Sequence, residues 1–76
     1  MQHPAGYNPE SMQIILNGNP HKLDKTTTVA DLLVEFDLNG RLAVEINQQI
    51  IPRSMFKERK LNPGDNVEIV HAIGGG

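Results

Sequence analysis

The chain closes on Gly74, Gly75 and Gly76. These residues have no reactive side chain, so any chemistry at this end belongs to the terminal carboxylate. A chain-end carboxylate has an ordinary pKa of roughly 3.3–3.7 and is ionised and nucleophilic at neutral pH. It carries no leaving group, so it must be activated before any acyl transfer. Glycine suits such a terminus because, lacking a Cβ, it passes through a narrow channel that other residues would block. Extended at roughly 3.3 Å per residue, Ile73 to Gly76 reach about 13 Å, enough to leave a globular surface and enter a pocket on another protein. Ordering flexible residues costs on the order of 1–2 kcal/mol each, so the folded body must supply binding energy elsewhere. A reactive tail of this kind needs a strand that aims it and a docking surface beside it.

Other chemistries are poorly provided for. The 76 residues include no cysteine, which excludes a disulfide scaffold, a thiolate zinc site and a cysteine nucleophile; any sulfur must come from a partner. His21 and His71 lie far apart in sequence without accompanying ligand spacing, so no metal is expected. The chain offers no convincing nucleophile–base pair and no phosphate-cradling loop, so it reads as a co-substrate rather than an enzyme. Seven Lys and Arg against nine Asp and Glu, with two Phe, one Tyr and no Trp, lack the basic excess and stacking platform of a nucleic-acid binder. No apolar run is long enough to span a membrane and no signal peptide opens the chain, so a cytoplasmic location is the default expectation.

The length suits one small domain, and the sequence divides into a leader, a folded body and the tail. "MQHPAGYNPES", residues 1–11, holds two prolines and no apolar periodicity; it is expected to be a disordered leader or an expression addition, with Met12 as the natural start. The body, residues 12–73, opens on "MQIILN", where Met12, Ile14 and Leu16 alternate with polar or outward positions as in a half-buried strand. Asn17-Gly18 predicts a tight hairpin turn, and Pro20 leads an edge strand with Leu23 inward. "TTTVADLLVEFDLNG" predicts a helix capped by Thr28, with Asp31 near its positive end, a stop at Asn39-Gly40, and a buried stripe of Val29, Leu32, Leu33 and Phe36. Asp31, Glu35 and Asp37 form its solvated side.

"LAVEIN" predicts a third strand with Leu42, Val44 and Ile46 facing the helix and Glu45 facing water. "QQIIPR" predicts at most a brief edge strand, and Met55 and Phe56 are expected to tuck under the sheet. "NPGD" fits a type II turn, after which Val67 and Ile69 point inward and Glu68, Val70 and Ala72 outward. This order predicts an α+β architecture: a mixed sheet of four to five strands with one main helix on one face. If the first and last strands pair at the centre they run parallel, and the tail leaves from a central strand.

That layout resembles the β-grasp fold of ubiquitin. More closely, "MQIILNG", "TTTVADLL", "LAVEINQQIIPR" and "PGDNVEIVHAIGGG", in this order and over residues 12–76, resemble the sulfur carrier (ThiS) family of thiamine biosynthesis. Two relatives of the same fold stand beside it. One is the small subunit of molybdopterin synthase, which tends to have paired prolines before its final glycines, where this chain has "VHAI". The other is a ubiquitin-like protein modifier, in which the activated glycine is joined to lysine amines.

The resemblance implies a reaction sequence. An E1-like adenylyltransferase (ThiF type) uses ATP and magnesium to convert the Gly76 carboxylate to an acyl-adenylate. A persulfide donor, such as a cysteine desulfurase pathway, supplies sulfur to form a thiocarboxylate, and thiazole synthase (ThiG type) receives it. Because an acyl-adenylate hydrolyses readily, the step must run in an enclosed site on the partner, where Gly74 and Gly75 allow close approach to phosphates. Ile15, Val70 and Ala72 on the outer sheet face beside the tail are the candidate docking residues, although scattered exposed aliphatics are ordinary. Arg53, with Lys57, Arg59 and Lys60, could steer an acidic partner; a solvated surface is the plainer reading of those four cations.

Overall fold

The computed structural model describes residues 11–24 and 27–72. Its elements run β1 (Met12–Leu16), β2 (Asn19–Leu23), α1 (Val29–Glu35), β3 (Leu42–Ile46), β4 (Gln49–Ile51), a 3-10 turn (Arg53–Met55) and β5 (Asn66–His71). The five strands form one sheet in the order β2-β1-β5-β3-β4. β5 pairs parallel with β1 and antiparallel with β3, so the last strand of the chain lies at the centre and runs parallel to the first, the direction expected for that pairing. The leader expected over residues 1–11 lies outside the described residues except for Ser11.

The alternation in β1 appears in space as written: Met12, Ile14 and Leu16 are buried, Gln13 and Ile15 exposed. Asn17 (φ 49) and Gly18 (φ 83) both adopt the left-handed backbone that a two-residue hairpin needs. Pro20, opposite Ile15 on the edge strand β2, leaves no inner ladder bond unmade. One face of the sheet and α1 enclose a core that includes Ile14, Val29, Leu32, Val44, Ile46 and Val67, with Leu23 also buried. Leu61 is fully buried as well; a lone apolar residue between Lys60 and Asn62 gives no periodic signal of this.

The helix has only seven residues, too short to persist alone in water, and depends on tertiary support. Its free N-terminal donors show where that support comes from. Thr28 Oγ1 accepts from the Asp31 amide, and the Asp31 carboxylate accepts from the Thr28 amide. The Val29 and Ala30 amides donate to the carbonyls of Arg59 and Phe56, so the segment after the 3-10 turn completes the cap. Phe56 is buried at 9% exposure, whereas Met55, expected beside it, is 41% exposed. Consecutive residues on a helical turn point roughly 100° apart, so only one of the pair can face the sheet.

The helix also ends earlier than Asn39-Gly40. Asp37 takes the left-handed conformation (φ 54), its amide donates to Val34 O, and the Leu38 amide reaches back to Leu33 O at 2.8 Å. These are the two bonds of a Schellman stop, with Leu33 and Leu38 packing against the core. An aspartate fills the position that glycine fills without steric cost. Asp37→Gly is expected to raise stability by about 0.5–1 kcal/mol, read as a higher urea midpoint; an unchanged or lower midpoint contradicts this account of the stop.

Candidate functional site

Ile73, Gly74, Gly75 and Gly76 lie outside the described residues, so the structure bears on the strand that leads to them. Two sets of hydrogen bonds hold β5. On one side, Ala72 N donates to Arg41 O at 2.9 Å. By antiparallel alternation this puts Ala72, Val70 and Glu68 in the hydrogen-bonded pairs with β3 and its flank. Val67 and Ile69 therefore face the β1 side with their backbone groups. There Ile15 N donates to Asp65 O and Asn17 N to Val67 O, each at 2.9 Å.

β1 turns away after Asn17, yet the ladder gains one more rung. The Asn17 carboxamide acts like a peptide group: Ile69 N donates to its Oδ1 at 2.8 Å, and its Nδ2 donates to Ile69 O at 3.1 Å. The start of β5 is held by a second side-chain network. Asn47, in the left-handed turn between β3 and β4 (φ 51), accepts from Asn66 N at 2.9 Å and donates to Asp65 Oδ1 at 3.0 Å. The other oxygen of Asp65 accepts from Asn62 N at 2.8 Å. Asp65 is the buried charged residue of the described chain, and both its oxygens have donors, as burial demands. Gly64 (φ 84) and the Asp65 N to Asn62 O bond complete the "NPGD" turn beneath it.

The outer face of the sheet separates the candidate docking residues. Val70 is 58% exposed and stands opposite Ala43. Ala72 is exposed just past the strand. Arg53 stands outside the ladder: it opens the 3-10 turn after β4, which runs along β3 from Ile46 toward Val44, the direction of the end where β5 closes. Ile15 does not join them. It is exposed at 40% but lies level with Asn66, four residues short of Val70, or about 13 Å at roughly 3.3 Å per residue. The adjacency expected from sequence is corrected by the parallel register, which no strand pattern specifies. Ile50, 77% exposed on β4, is an apolar residue of this face that alternation alone did not single out.

Between these apolar positions two glutamates stand directly opposite each other, Glu45 on β3 and Glu68 on β5, with Ile50 opposite Glu45. Like charges in a cross-strand pair destabilise a sheet. Of the four cations, Arg53, Lys57 and Lys60 are exposed. The Arg59 guanidinium donates to the Lys60 carbonyl, and the Lys60 backbone bridges to Thr28 beside the helix cap, so of the four side chains Arg59 is the one engaged by the local fold. His21 meets Phe36 edge-on with ring centroids 5.1 Å apart. Among the described residues no three His, Cys, Asp or Glu converge to hold a metal, and no helix is long and apolar enough to cross a membrane.

Comparison with known proteins gives a consistent picture. The model of the ThiS family matches residues 14–76. The sulfur carrier protein ThiS of Bacillus subtilis is 41% identical over 63 residues, covering 80% of this chain and 96% of that one. The thiazole synthase of Paramagnetospirillum magneticum is 39% identical over 66 residues, covering 86% of this chain; the chain spans only 20% of that protein's length. The crystal structure of the thiamine biosynthesis protein ThiS from Geobacter metallireducens superposes with a TM-score of 0.77 at 29% identity, covering 86% of this chain and all of that one. The expected β-grasp architecture, at five strands, agrees with that neighbour.

Glu68→Lys replaces the repulsion across β3 and β5 with an attraction and is expected to raise stability by about 0.5–1 kcal/mol. Added salt should stabilise the unsubstituted chain more than the variant, because screening relieves only the like-charged pair. Chemical denaturation by urea at low and high salt checks both; a less stable variant would show that the glutamates do not oppose each other in solution.

Proposed function

Because this chain belongs to the ThiS family, we propose that it is a sulfur carrier of thiamine biosynthesis that holds its cargo on the carboxylate of Gly76. The observation that carries this reading is the family match running through to Gly76, joined to a last strand placed centrally in the sheet. The carrier itself supplies a nucleophile and a docking surface; the adenylyltransferase supplies the enclosed site.

In the proposed sequence the Gly76 carboxylate attacks the α-phosphorus of ATP, pyrophosphate leaves, and an acyl-adenylate remains. ATP and magnesium belong to the partner. A persulfide on a sulfur-donating protein then attacks the acyl carbon and displaces AMP, giving an acyl disulfide. A thiol cleaves the S–S bond, leaving the thiocarboxylate on Gly76 and a disulfide among the partner's sulfurs. This chain has no cysteine, so it neither competes for the persulfide nor traps the activated terminus on a thiol of its own. Thiazole synthase is the proposed acceptor. The relative of that name contains a stretch similar to this chain, which supports a functional link between the two. These partners favour a cytoplasmic location.

Docking is assigned to the apolar corner of the outer face, Val70 and Ala72 with Ala43 and Ile50, and to Arg53 at the same end. Ile15 sits too far from the tail to share a small contact with Val70. Gly74 and Gly75 are assigned to the channel that admits Gly76.

The central test is mass spectrometry of the intact chain after incubation with ATP, magnesium, a cognate adenylyltransferase and a sulfur source. The expected product is heavier by the replacement of one oxygen with sulfur, and a chain lacking Gly76 should show no change. A full-length chain that remains unmodified while a known family member is converted would overturn the reading. Reconstitution with thiazole synthase checks the acceptor. Val70→Asp is expected to raise the KM for the carrier by about tenfold with an unchanged urea midpoint, the effect of losing one contact of roughly 1.4 kcal/mol. Ile15→Asp should change it far less, and equal effects would move the docking surface away from the tail.

A further inference from the structure

We infer that Asn17 is a positioning residue for the reactive terminus: its carboxamide fixes the strand end that aims the tail. This deepens the carrier reading and rests on it for its functional consequence, although the structural part stands alone. The two parallel strands end at different points. β1 ends at Leu16 and turns at Asn17-Gly18, while β5 continues to His71. The parallel pair β1 and β5 is in register only over Ile15 with Asn66 and Leu16 with Val67. Beyond that point no backbone of β1 remains to meet Ile69, whose amide and carbonyl face that side.

The Asn17 side chain meets both of them, donating to the carbonyl and accepting from the amide, across 52 positions in sequence. A carboxamide is the side-chain group that presents a donor and an acceptor in the plane of a peptide. The left-handed backbone at Asn17 (φ 49) is one that asparagine tolerates better than most residues. One residue type thus serves the turn and the rung together. Past Ile69, the backbone bonds of the strand end run to the β3 side, at the Val70 pair with Ala43 and from Ala72 N to Arg41 O. Among the described residues, Asn17 therefore makes the last hydrogen-bonded restraint from the β1 side, at Ile69, seven residues before Gly76. Releasing it leaves the end of β5 tethered along one edge and free to swing about it. A terminus that must reach an enclosed phosphate is sensitive to such a change, because small misplacements of a reacting group cost much of its rate.

The variant Asn17→Gly separates the two roles. Glycine keeps the left-handed turn and removes the carboxamide; Asn17→Asp keeps the acceptor for Ile69 N but sets an anionic oxygen against the Ile69 carbonyl, acceptor against acceptor. Two measurements are made well below the melting temperature: steady-state adenylation of the carrier, and backbone order parameters with amide exchange for Val70, His71 and Ala72. The expected result for Asn17→Gly is a roughly tenfold lower kcat with a KM for the carrier within about twofold of the original, together with lower order and faster exchange at His71 and Ala72. Asn17→Asp should lose at least as much order at His71 and Ala72, because its second oxygen repels the Ile69 carbonyl. A residue serving stability alone would lower the melting temperature and leave kcat of the folded protein unchanged, and that outcome overturns the proposal. So does a fall in kcat without loss of order at His71 and Ala72, since the effect would not then run through the strand. If the unsubstituted chain is not adenylated, the carrier reading fails on its own, and the order parameters decide whether Asn17 fixes the strand end.

Discussion

The parallel pairing of β1 with β5 is the contact on which the rest of the molecule depends. Parallel neighbours cannot be joined by a tight turn, so the chain between them must cross from one end of the sheet to the other. Here that crossing contains β2, α1, β3 and β4. It lays α1 over the inner face, and the pairing of β3 with β5 closes the sheet around the last strand. A strand with neighbours on both sides is a firmer base for a projecting chain end than an edge strand, which frays along its open side.

The same pairing leaves a mismatch, because β1 is spent before β5 is. The Asn17 side chain makes up the difference, and a second polar network holds the start of β5. Asn47 ties the start of β5 to the turn between β3 and β4, Asp65 and the Asn62 amide tie it to the turn that precedes it, and Asn17 ties its middle to the first hairpin. Each neutral hydrogen bond contributes only about 1 kcal/mol net. Their collective effect is to specify register, because a one-residue slip of β5 would leave Asp65 buried without donors and turn Val67 and Ile69 to water. The polar clips and the apolar alternation thus enforce the same alignment.

The helix and the outer face show how little of the chain is left for other purposes. Seven helical residues hold together because Thr28, Asp31 and the carbonyls of Phe56 and Arg59 satisfy the first turn, and because Val29 and Leu32 are fully buried. Cations that look like a steering cluster in sequence are divided: the Arg59 side chain is tied to the local backbone, while Lys57 and Lys60 are exposed and Arg53 opens the 3-10 turn after β4. The outer face keeps an opposed pair of glutamates, Glu45 and Glu68, at some cost in stability. Exposed aliphatics surround them, an arrangement the folded state alone does not call for.

The sequence by itself determined the local matters. Alternation placed Met12, Ile14, Leu16, Val67 and Ile69 inward; Asn17-Gly18 and "NPGD" marked the turns, Thr28 the helix start, and the ordered motifs with terminal glycines the family. Each of these follows from a rule that acts over a few residues, or from a pattern carried whole along the chain. Only the tertiary structure decided that Ile15 and Val70 lie far apart on one face, that Leu61 is core and Met55 is not, that Asp37 rather than Gly40 stops the helix, and that the Asn17 amide reaches Ile69. The reason is physical. Periodicity assigns a residue to a face, but the register between distant strands, and the choice of which neighbouring side chain fills a gap, are settled by packing and by the pairing of buried polar groups across the whole fold. A bond between residues 17 and 69 leaves no trace in the stretch around either one.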